Sequence, residues 1–251
     1  MKSVKSKIIN LIIRSKIADL KLKFSHRDII LLYHSVEKNA SDYPFSVSLD
    51  CFKAHLEILS DHFEIVSLEK LFNTPNKTPR VALTFDDAYD DFHTTVFPIL
   101  QEGRLSATVF VPTNFIESEH YLYISEDGKS HKHHLTWDQM RELQSSGLVE
   151  FGSHTHSHID AVLNFDNLKN DIHISIKTIE KELGKPPRYF AYPFGTFNSA
   201  TDKIVLSCGF EKIFTTQSNS VTDGDIQGRH DIQRSIESND LFKLKIAGIK
   251  P

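Results

Sequence analysis

Two neighbouring aspartates, Asp86 and Asp87, directly follow a run of apolar residues at positions 81–85. A pair of carboxylates at the end of a buried strand is costly unless a positive group neutralises it. Because adjacent residues that leave a strand point in opposite directions, one carboxylate could bind a cation while the other stays free as a base. A helix cap is the competing interpretation, since Asp is common there and Asp90 and Asp91 are further candidates for capping.

Histidines follow a second apolar run of the sequence. If the chain turns helically there, the imidazoles of His154 and His158 face one side, at the spacing of metal ligands. The H-E-x-x-H arrangement of zinc enzymes has a glutamate between its histidines as the base. This chain has Thr155 at that position, so Asp86 or Asp87 would have to act as the base.

Two histidines and one aspartate leave coordination positions free for water and substrate, which is typical of a catalytic zinc site. His156 alternates away from its two neighbours and is expected to lie behind them or at the surface. The same ligand types also form the facial triad of non-haem iron oxygenases. That alternative predicts a β-jelly roll with H-x-D ligand spacing, which the alternation of strands and helices does not support.

Two more apolar runs end in residues that could take part in chemistry. Residues 29–33 lead into His34, and residues 189–192 lead into Pro193 and Phe194. In (β/α) barrels the loops after the carboxyl ends of the strands form the active-site face. We therefore expect four strands to deliver their polar residues to one rim.

Short apolar or β-branched runs alternate with helical patterns along the whole chain. Strands are expected at residues 29–33, 63–66, 81–85, 107–111, 148–151, 189–192 and 212–215, with an eighth at residues 232–236. Thr136 and Gln139 fit a capping box before a helix that Gly147 ends, and a long amphipathic helix at residues 168–183 ends at Gly184. This pattern predicts an α/β fold, a closed or nearly closed (β/α) barrel of seven to eight strands.

Composition excludes several classes of protein. The chain has 251 residues, 39% hydrophobic and 25% charged, which suits one domain with a sizeable core. Two cysteines, Cys51 and Cys208, cannot form a disulfide scaffold or a cysteine zinc cluster. The net charge of −4 gives no indication of nucleic-acid binding. The apolar runs are shorter than the roughly 18 residues of a membrane span.

Basic residues are concentrated at the start of the chain. Residues 1–27 carry eight Lys and Arg against Asp19 alone, so we expect a basic helical extension there and one domain over residues 28–251. The apolar patch at residues 8–13 is shorter than the roughly 7–15 residues of a signal-peptide core, which favours a cytoplasmic location. The helix either packs on the domain edge or makes peripheral contact with an anionic membrane through residues 1–23.

The motifs resemble those of the NodB-homology polysaccharide deacetylases, carbohydrate esterase family 4. Residues 83–87 resemble the T-F-D-D motif of that family, and residues 154–158 match its H-[ST]-x-x-H motif. Further similar segments follow in the family's order: residues 97–100, 107–111, 135–137, 147–148 and 190–195. The resemblance implies a distorted (β/α) barrel and metal-dependent hydrolysis of an N-acetyl group on a sugar.

The resemblance also implies roles for individual residues. Asp86 would be the general base, and Asp87, His154 and His158 would bind a divalent metal, Zn²⁺ or else Co²⁺, Ni²⁺ or Mn²⁺. Tyr33-His34 resembles the Y-H motif of the biofilm-type poly-N-acetylglucosamine deacetylases, which implies that His34 is the general acid.

A backbone N–H near Phe194, in the segment formed by Tyr192, Pro193 and Phe194, would stabilise the oxyanion according to the same resemblance.

Three positions depart from the family pattern. Ala88 stands where glycine is usual, and Ala191 stands where an arginine is expected. We expect Arg234, or as second candidate Arg188, to orient Asp86 instead. The late motif that carries the acid histidine in many relatives is not clear, and His230 is the candidate for it.

The sequence gives the least information about the substrate. An N-acetylated glycan or sugar-lipid precursor is expected, and Tyr121, Tyr123 and Trp137 could stack on sugar rings. A deacylase or deformylase of a lipid-linked sugar is one alternative, and a non-catalytic glycan-binding relative is another. The loop with three further histidines, His131, His133 and His134, is interpreted as solvated and not as a second metal site.

Overall fold

The computed structural model describes residues 2–25, 27–38, 43–75, 77–126, 128, 131–218, 221–236 and 238–249, with side chains from residue 13 onward. Strands in these ranges are β1 (Ile29–Tyr33), β2 (Ser35–Glu37), β3 (Ser46–Ser48), β4 (Glu64–Ile65), β5 (Arg80–Phe85), β6 (Ala107–Val111), β7 (Val149–Ser153), β8 (Tyr189–Ala191), β9 (Lys212–Phe214), β10 (Ile226–Gln227) and β11 (His230–Asp231). Helices are α1 (Lys2–Lys23), α2 (Leu49–His62), α3 (Leu68–Asn73), α4 (Phe97–Gly103), α5 (Trp137–Ser145), α6 (Phe165–Leu183), α7 (Ser199–Ser207) and α8 (Asn239–Ile246).

One curled parallel sheet forms the body of the fold. Its strand order is β10-β9-β8-β7-β6-β5-β1-β11, with β4 added beside the start of β5. A separate parallel pair, β2 and β3, lies apart from it. The prediction of an α/β fold with a distorted barrel is confirmed, since the sheet curls into a half-barrel. Within the described residues, β10 and β11 end the order and do not pair with each other, so the barrel stays open between them.

Sheet register brings the predicted rim residues together. Tyr33 pairs with Phe85 across β1 and β5, and the Asp86 N–H donates to the Tyr33 carbonyl at 2.9 Å. His34 and Asp86, which follow these two residues, therefore leave adjacent strands at the same level. All five side chains of β1 and all six of β5 are buried, as expected for central strands of a sheet covered on both faces.

The last predicted strand is wrong. Residues 234–236 form a single 3₁₀ turn, and the strand that pairs with β1 lies earlier, at His230–Asp231. A two-residue strand contains too few positions to show an alternating pattern. The apolar residues Ile232 and Ile236 therefore suggested a strand at residues 232–236, which the structure does not contain.

Helix boundaries follow local chemistry. The predicted capping box before α5 is present, since the Gln139 N–H donates to the Thr136 hydroxyl and the Thr136 N–H to the Gln139 side chain. Helix α6 ends at Gly184, which adopts the left-handed conformation (φ 78°) that favours glycine.

Helix α1 packs against α8 at the edge of the domain. Ala18 and Leu22 are buried in the main core, and the Ser15 hydroxyl donates to Asp240 at 2.5 Å. Lys243 of α8 forms an ion pair with Asp19 at 2.9 Å. The described part of the chain has no helix with the length and apolar character needed to cross a bilayer.

Candidate metal centre

The chain places Asp87, His154 and His158 together at the carboxyl ends of β5 and β7. The His158 Nε2 lies 3.3 Å from the Asp87 Oδ1, and the His154 Nε2 lies 3.5 Å from the same oxygen. One ligand atom from each residue falls within 4.8 Å of the others, a grouping able to hold a metal ion. Asp87 and His154 are buried, and His158 is half-buried.

Backbone strain is concentrated at this centre. Asp87 (φ 70°), Thr155 (φ 64°) and His158 (φ 51°) all adopt the left-handed region. Residues with a Cβ rarely adopt it, and such strain persists where surrounding contacts fix the backbone. Asp171 on α6 makes contacts of this kind, because its carboxylate accepts the N–H groups of His156 and Ser157 at 2.6 and 3.1 Å.

The tautomer of His154 determines what its inward nitrogen can bind. Its Nδ1 lies 2.8 Å from the Ala191 carbonyl, which can only accept, so Nδ1 carries the proton. The Nε2 facing Asp87 is therefore an unprotonated acceptor. Burial lowers the pKa of His154 to about 4, so the ring is neutral near pH 7.

The donor set fits a cation. The Asp87 Oδ1 is buried and accepts no hydrogen bond from any described residue. Burial alone would raise the pKa of Asp87, but the neighbouring imidazoles, His158 first, hold it well below its ordinary range. A carboxylate oxygen and an acceptor nitrogen thus face each other at 3.5 Å, and a cation between them would satisfy both.

Asp86 has a different environment from its neighbour. Arg229 donates from Nη1 to Oδ1 and from Nη2 to Oδ2, each at 2.7 Å. The guanidinium is fully buried, and its Nε also donates to the Thr215 carbonyl at 3.2 Å. Burial raises the pKa of Asp86, but the charge and hydrogen bonds of Arg229, together with the neighbouring imidazoles, outweigh burial and keep this pKa below its ordinary value. Asp86 is therefore ionised at neutral pH.

The prediction that Arg234 or Arg188 orients Asp86 is wrong. Arg234 is exposed in the 3₁₀ turn, and Arg188 forms an ion pair with Glu211 at 2.7 Å at the surface. Arg229 was missed because it immediately precedes a strand too short to be recognised from the sequence.

His34 and His230 lie in different parts of the molecule. His34 lines the same cleft as Asp86 and Asp87. His230 instead lines a separate cavity of about 600 Å³, beside Ile29 at the opposite end of β1. Its Nδ1 lies 2.6 Å from the Ser218 hydroxyl. Of the two candidates for the general acid, His34 alone lines the cleft that contains Asp87, His154 and His158.

The predicted oxyanion segment also borders the cleft, through Tyr192 and Phe194. The N–H groups of Tyr192 and Gly195 donate to the carbonyls of Phe214 and Tyr192, and Pro193 has no N–H. This leaves the Phe194 N–H as the available donor of the segment. Phe194 is left-handed (φ 60°), and its side chain is 65% exposed at the rim.

The cleft has a volume of about 470 Å³ and an aromatic wall. Tyr43 and Tyr123 pack against each other with ring centroids 4.7 Å apart, and Phe45 stacks obliquely near His34 at 5.0 Å. Tyr123 thus lines the cleft, where the sequence predicts contact with a sugar. Trp137, by contrast, is 7% exposed and belongs to the core, so the expectation that it stacks on substrate is wrong.

Other predicted polar residues have structural roles. Asp91 does not cap the short π-helical turn that follows it at Phe92–Val96, since its carboxylate accepts the Val36 N–H at 2.5 Å and the Ser35 hydroxyl at 2.7 Å. His156 is not part of the candidate metal-ligand group, and its Nδ1 lies 2.8 Å from the Thr113 hydroxyl.

Two histidines of the 131–134 segment, His131 and His133, are exposed as expected. His134 differs, since it packs against Tyr89 with ring centroids 5.1 Å apart.

Comparison with known proteins identifies relatives. Residues 73–213 match the family described as polysaccharide deacetylase. A putative polysaccharide deacetylase of Bacillus subtilis, YxkH, is 29% identical over 197 residues, which is 75% of this chain and 64% of the relative, just under two thirds of its length. The poly-beta-1,6-N-acetyl-D-glucosamine N-deacetylase of Staphylococcus epidermidis is 28% identical, over 90% of this chain and 84% of its own.

Solved structures share the fold. IcaB from Ammonifex degensii superposes with a TM-score of 0.75 at 22% identity, covering 88% of this chain and 98% of that one. The Streptococcus pyogenes deacetylase PplD superposes with a TM-score of 0.71 at 24% identity, covering 90% and 99%.

Proposed function

The chain belongs to the polysaccharide deacetylase family, and from this premise we propose that it is a metal-dependent hydrolase that removes N-acetyl groups from N-acetylglucosamine units of a polysaccharide. Two relatives support this substrate class, one named for poly-beta-1,6-N-acetyl-D-glucosamine and one for polysaccharide. The acidic balance of the chain outside its first 27 residues suits a glycan that becomes cationic as it loses acetyl groups.

The observation that carries the proposal is the contact between His154 Nε2 and Asp87 Oδ1. Both atoms are acceptors, both are buried, and the oxygen has no hydrogen-bond partner among the described residues. With His158 they form a ligand set of two imidazoles and one carboxylate, which suits Zn²⁺ and also Co²⁺, Ni²⁺ or Mn²⁺. Such a cation polarises an amide carbonyl and lowers the pKa of a water molecule towards about 7.

Asp86 and His34 supply proton transfer in this proposal. Asp86 is ionised and fixed by Arg229, so it can accept a proton from the attacking water. His34 lies in the same cleft and can donate a proton to the departing amine. The Phe194 N–H would stabilise the oxyanion of the acetyl group, and Tyr123 would contact the sugar face.

The test is metal content together with acetate release from N-acetylglucosamine oligomers. Wild type and Asp86→Asn are expected to bind one metal ion each, with acetate released by wild type alone. Asp87→Asn is expected to lose both the metal and acetate release. Absence of metal from the wild-type protein would refute the proposed mechanism.

The alternatives differ in the outcome of the same experiment. Metal binding without acetate release would favour a deacylase or deformylase of a lipid-linked sugar. A non-catalytic glycan-binding relative would bind oligomers and release nothing from any acylated sugar. The geometry disfavours this second alternative, because Arg229 replaces the missing family arginine and keeps Asp86 ionised.

We further propose peripheral contact with an anionic membrane through α1. Ile13, Ile17 and Leu20 are each more than half exposed and fall on one face of that helix, at i, i+4 and i+7, and Phe24, directly after its end, is also more than half exposed. Exposed lysines, Lys16, Lys21 and Lys23, accompany this stripe, a combination that suits a negatively charged lipid surface. A cytoplasmic, membrane-peripheral location stays a prediction.

Sedimentation with vesicles tests this contact. Wild type should bind vesicles rich in phosphatidylglycerol more strongly than phosphatidylcholine vesicles, and Ile17→Ser with Leu20→Ser should abolish the difference. Leu163→Ser is the matched control, because Leu163 is 83% exposed and far from α1 in sequence. Equal vesicle binding by wild type and the double variant would contradict the proposed membrane contact. A dimer that buries the exposed apolar residues of α1 would contradict it too.

A further inference from the structure

The turn that carries Asp87 needs support from outside itself. Asp87 and Ala88 are consecutive left-handed residues, with φ of 70° and 51°. Ala88 stands where glycine is usual in the family, so the chain does not relieve the strain with a residue that lacks a Cβ. Two such residues in succession persist only where the surroundings fix them.

The segment at residues 133–135 supplies that support. The Leu135 N–H donates to the Ala88 carbonyl at 2.8 Å, and the Asp90 N–H donates to the His133 carbonyl at 3.0 Å. His134 adds a side-chain bond, because its Nδ1 lies 2.8 Å from the Asp87 carbonyl. A carbonyl only accepts, so the Nδ1 of His134 carries the proton and donates it.

Packing alone does not account for a histidine at position 134. The ring stacks on Tyr89 at 5.1 Å with 26° between the planes, and it lies 5.7 Å from Phe115. A phenyl ring could make the same aromatic contacts. The histidine instead buries its Nε2 without a hydrogen-bond partner among the described residues, which is unfavourable. The Nδ1 bond to Asp87 is the contact that a phenyl ring could not make.

A second contact acts on the Asp87 carboxylate itself. The Tyr43 hydroxyl lies 3.4 Å from Oδ2, a long hydrogen bond, and accepts from the Tyr89 hydroxyl at 3.2 Å. His134 thus holds the backbone of Asp87, and Tyr43 contacts the outer oxygen. The remaining oxygen, Oδ1, faces His154 and His158.

We propose that His134 is a positioning residue for metal binding, which holds the strained Asp87–Ala88 turn through its Nδ1–H bond so that Oδ1 of Asp87 faces the two histidines. The inference rests on the proposed function, since it requires that Asp87, His154 and His158 bind a metal ion. Partners that orient metal ligands in this way typically contribute roughly 10- to 100-fold to metal affinity.

Paired substitutions separate this role from packing. His134→Phe keeps the ring and removes the donor, whereas His134→Asn removes the ring and places an amide N–H near the position of Nδ1. We expect His134→Phe to weaken Zn²⁺ binding roughly 10- to 100-fold while the metal-free protein keeps its melting temperature. We expect His134→Asn to recover most of the affinity. A residue that served packing alone would show the reverse order.

The measurement is the Zn²⁺ dissociation constant at pH 7.5, by competition with a chromophoric chelator. His133→Ala is the matched control, because that neighbouring side chain is exposed. Should His134→Phe fail to fold, His134→Gln tests the same point, since its amide reaches the position of Nε2 and not Nδ1. Wild-type affinity in His134→Phe, or in a folded His134→Gln, would overturn this inference alone. A wild-type protein that bound no Zn²⁺ would instead overturn the proposed function.

Discussion

Replacing Arg229 by lysine tests how Asp86, the proposed general base, is kept ionised. The Arg229 guanidinium is fully buried and holds both oxygens of Asp86 at 2.7 Å. Lysine keeps the positive charge but offers a single ammonium point, so it cannot reproduce the paired geometry. We expect Arg229→Lys to fold, to bind metal and to lose activity.

The magnitude follows from the bonds that are lost. One charge-assisted hydrogen bond contributes about 1.5–3 kcal/mol, which corresponds to roughly a 10- to 100-fold loss in kcat/KM if it is felt in the transition state. Arg229→Met would cost more, because leaving a buried charge without its partner costs about 3–5 kcal/mol. That loss is a large share of a typical stability of about 5–15 kcal/mol, so the lysine variant is the informative one.

The pH dependence gives the sharper readout. Burial raises the pKa of Asp86, and Arg229 is the first of the neighbouring groups that together reverse this effect. Weakening that contact must therefore move the acid limb of kcat/KM to higher pH, because Asp86 has to be ionised to accept a proton. Acetate release measured between pH 4 and 9 would show this shift. Arg234→Lys is the matched control, since that arginine is exposed. Unchanged kcat/KM with an unshifted acid limb in Arg229→Lys would refute the reasoning.

Three further predictions concern other polar side chains. His34→Gln should lower kcat by roughly 100- to 10,000-fold while His230→Gln leaves it unchanged, because only His34 faces the cleft; equal effects in acetate-release assays would contradict this. Burial lowers the pKa of His230 to about 4, so the unfolded chain binds more protons below pH 6.5, and stability should fall as the pH drops from about 6.5 to about 4, by up to about 3 kcal/mol from this residue. Urea titrations should show a smaller fall in His230→Gln. Asp171→Asn should weaken metal binding, because the Asp171 carboxylate holds the turn between the proposed ligands His154 and His158. Competition with a chelator should show the weaker binding while the melting temperature stays unchanged.

The sequence predicts the parts of the site that are local. A buried strand followed by two carboxylates, and a strand followed by histidines four residues apart, are each visible within ten residues. Parallel strands then place both segments at one edge of the sheet, because their carboxyl ends align. The positions of Asp86, Asp87, His154 and His158 follow from these short patterns and from the family motifs.

The partners of these residues could not be predicted in the same way. Arg229 lies 143 residues from Asp86, beside strands of only two residues each. His134 lies 47 residues from Asp87 in a loop whose histidines were all expected to be solvated. Asp171 gave a usable signal, since it is a charged residue on the buried face of α6, next to Leu168 and Ile172. A charge on an apolar face needs a partner, and here the partners are two backbone N–H groups.

Adjacent position in the chain does not give Asp86 and Asp87 the same role. Both carboxylates are buried and both have lowered pKa values, but for different reasons. Asp86 has each oxygen paired with Arg229, so a cation gains little by binding it and its carboxylate is fixed for proton transfer. Asp87 has one oxygen near Tyr43 and leaves the other, without a described hydrogen-bond partner, facing two imidazoles. The proposed assignment of Asp86 as base and Asp87 as metal ligand therefore follows from what each carboxylate contacts, and exchanging those contacts should exchange the proposed roles.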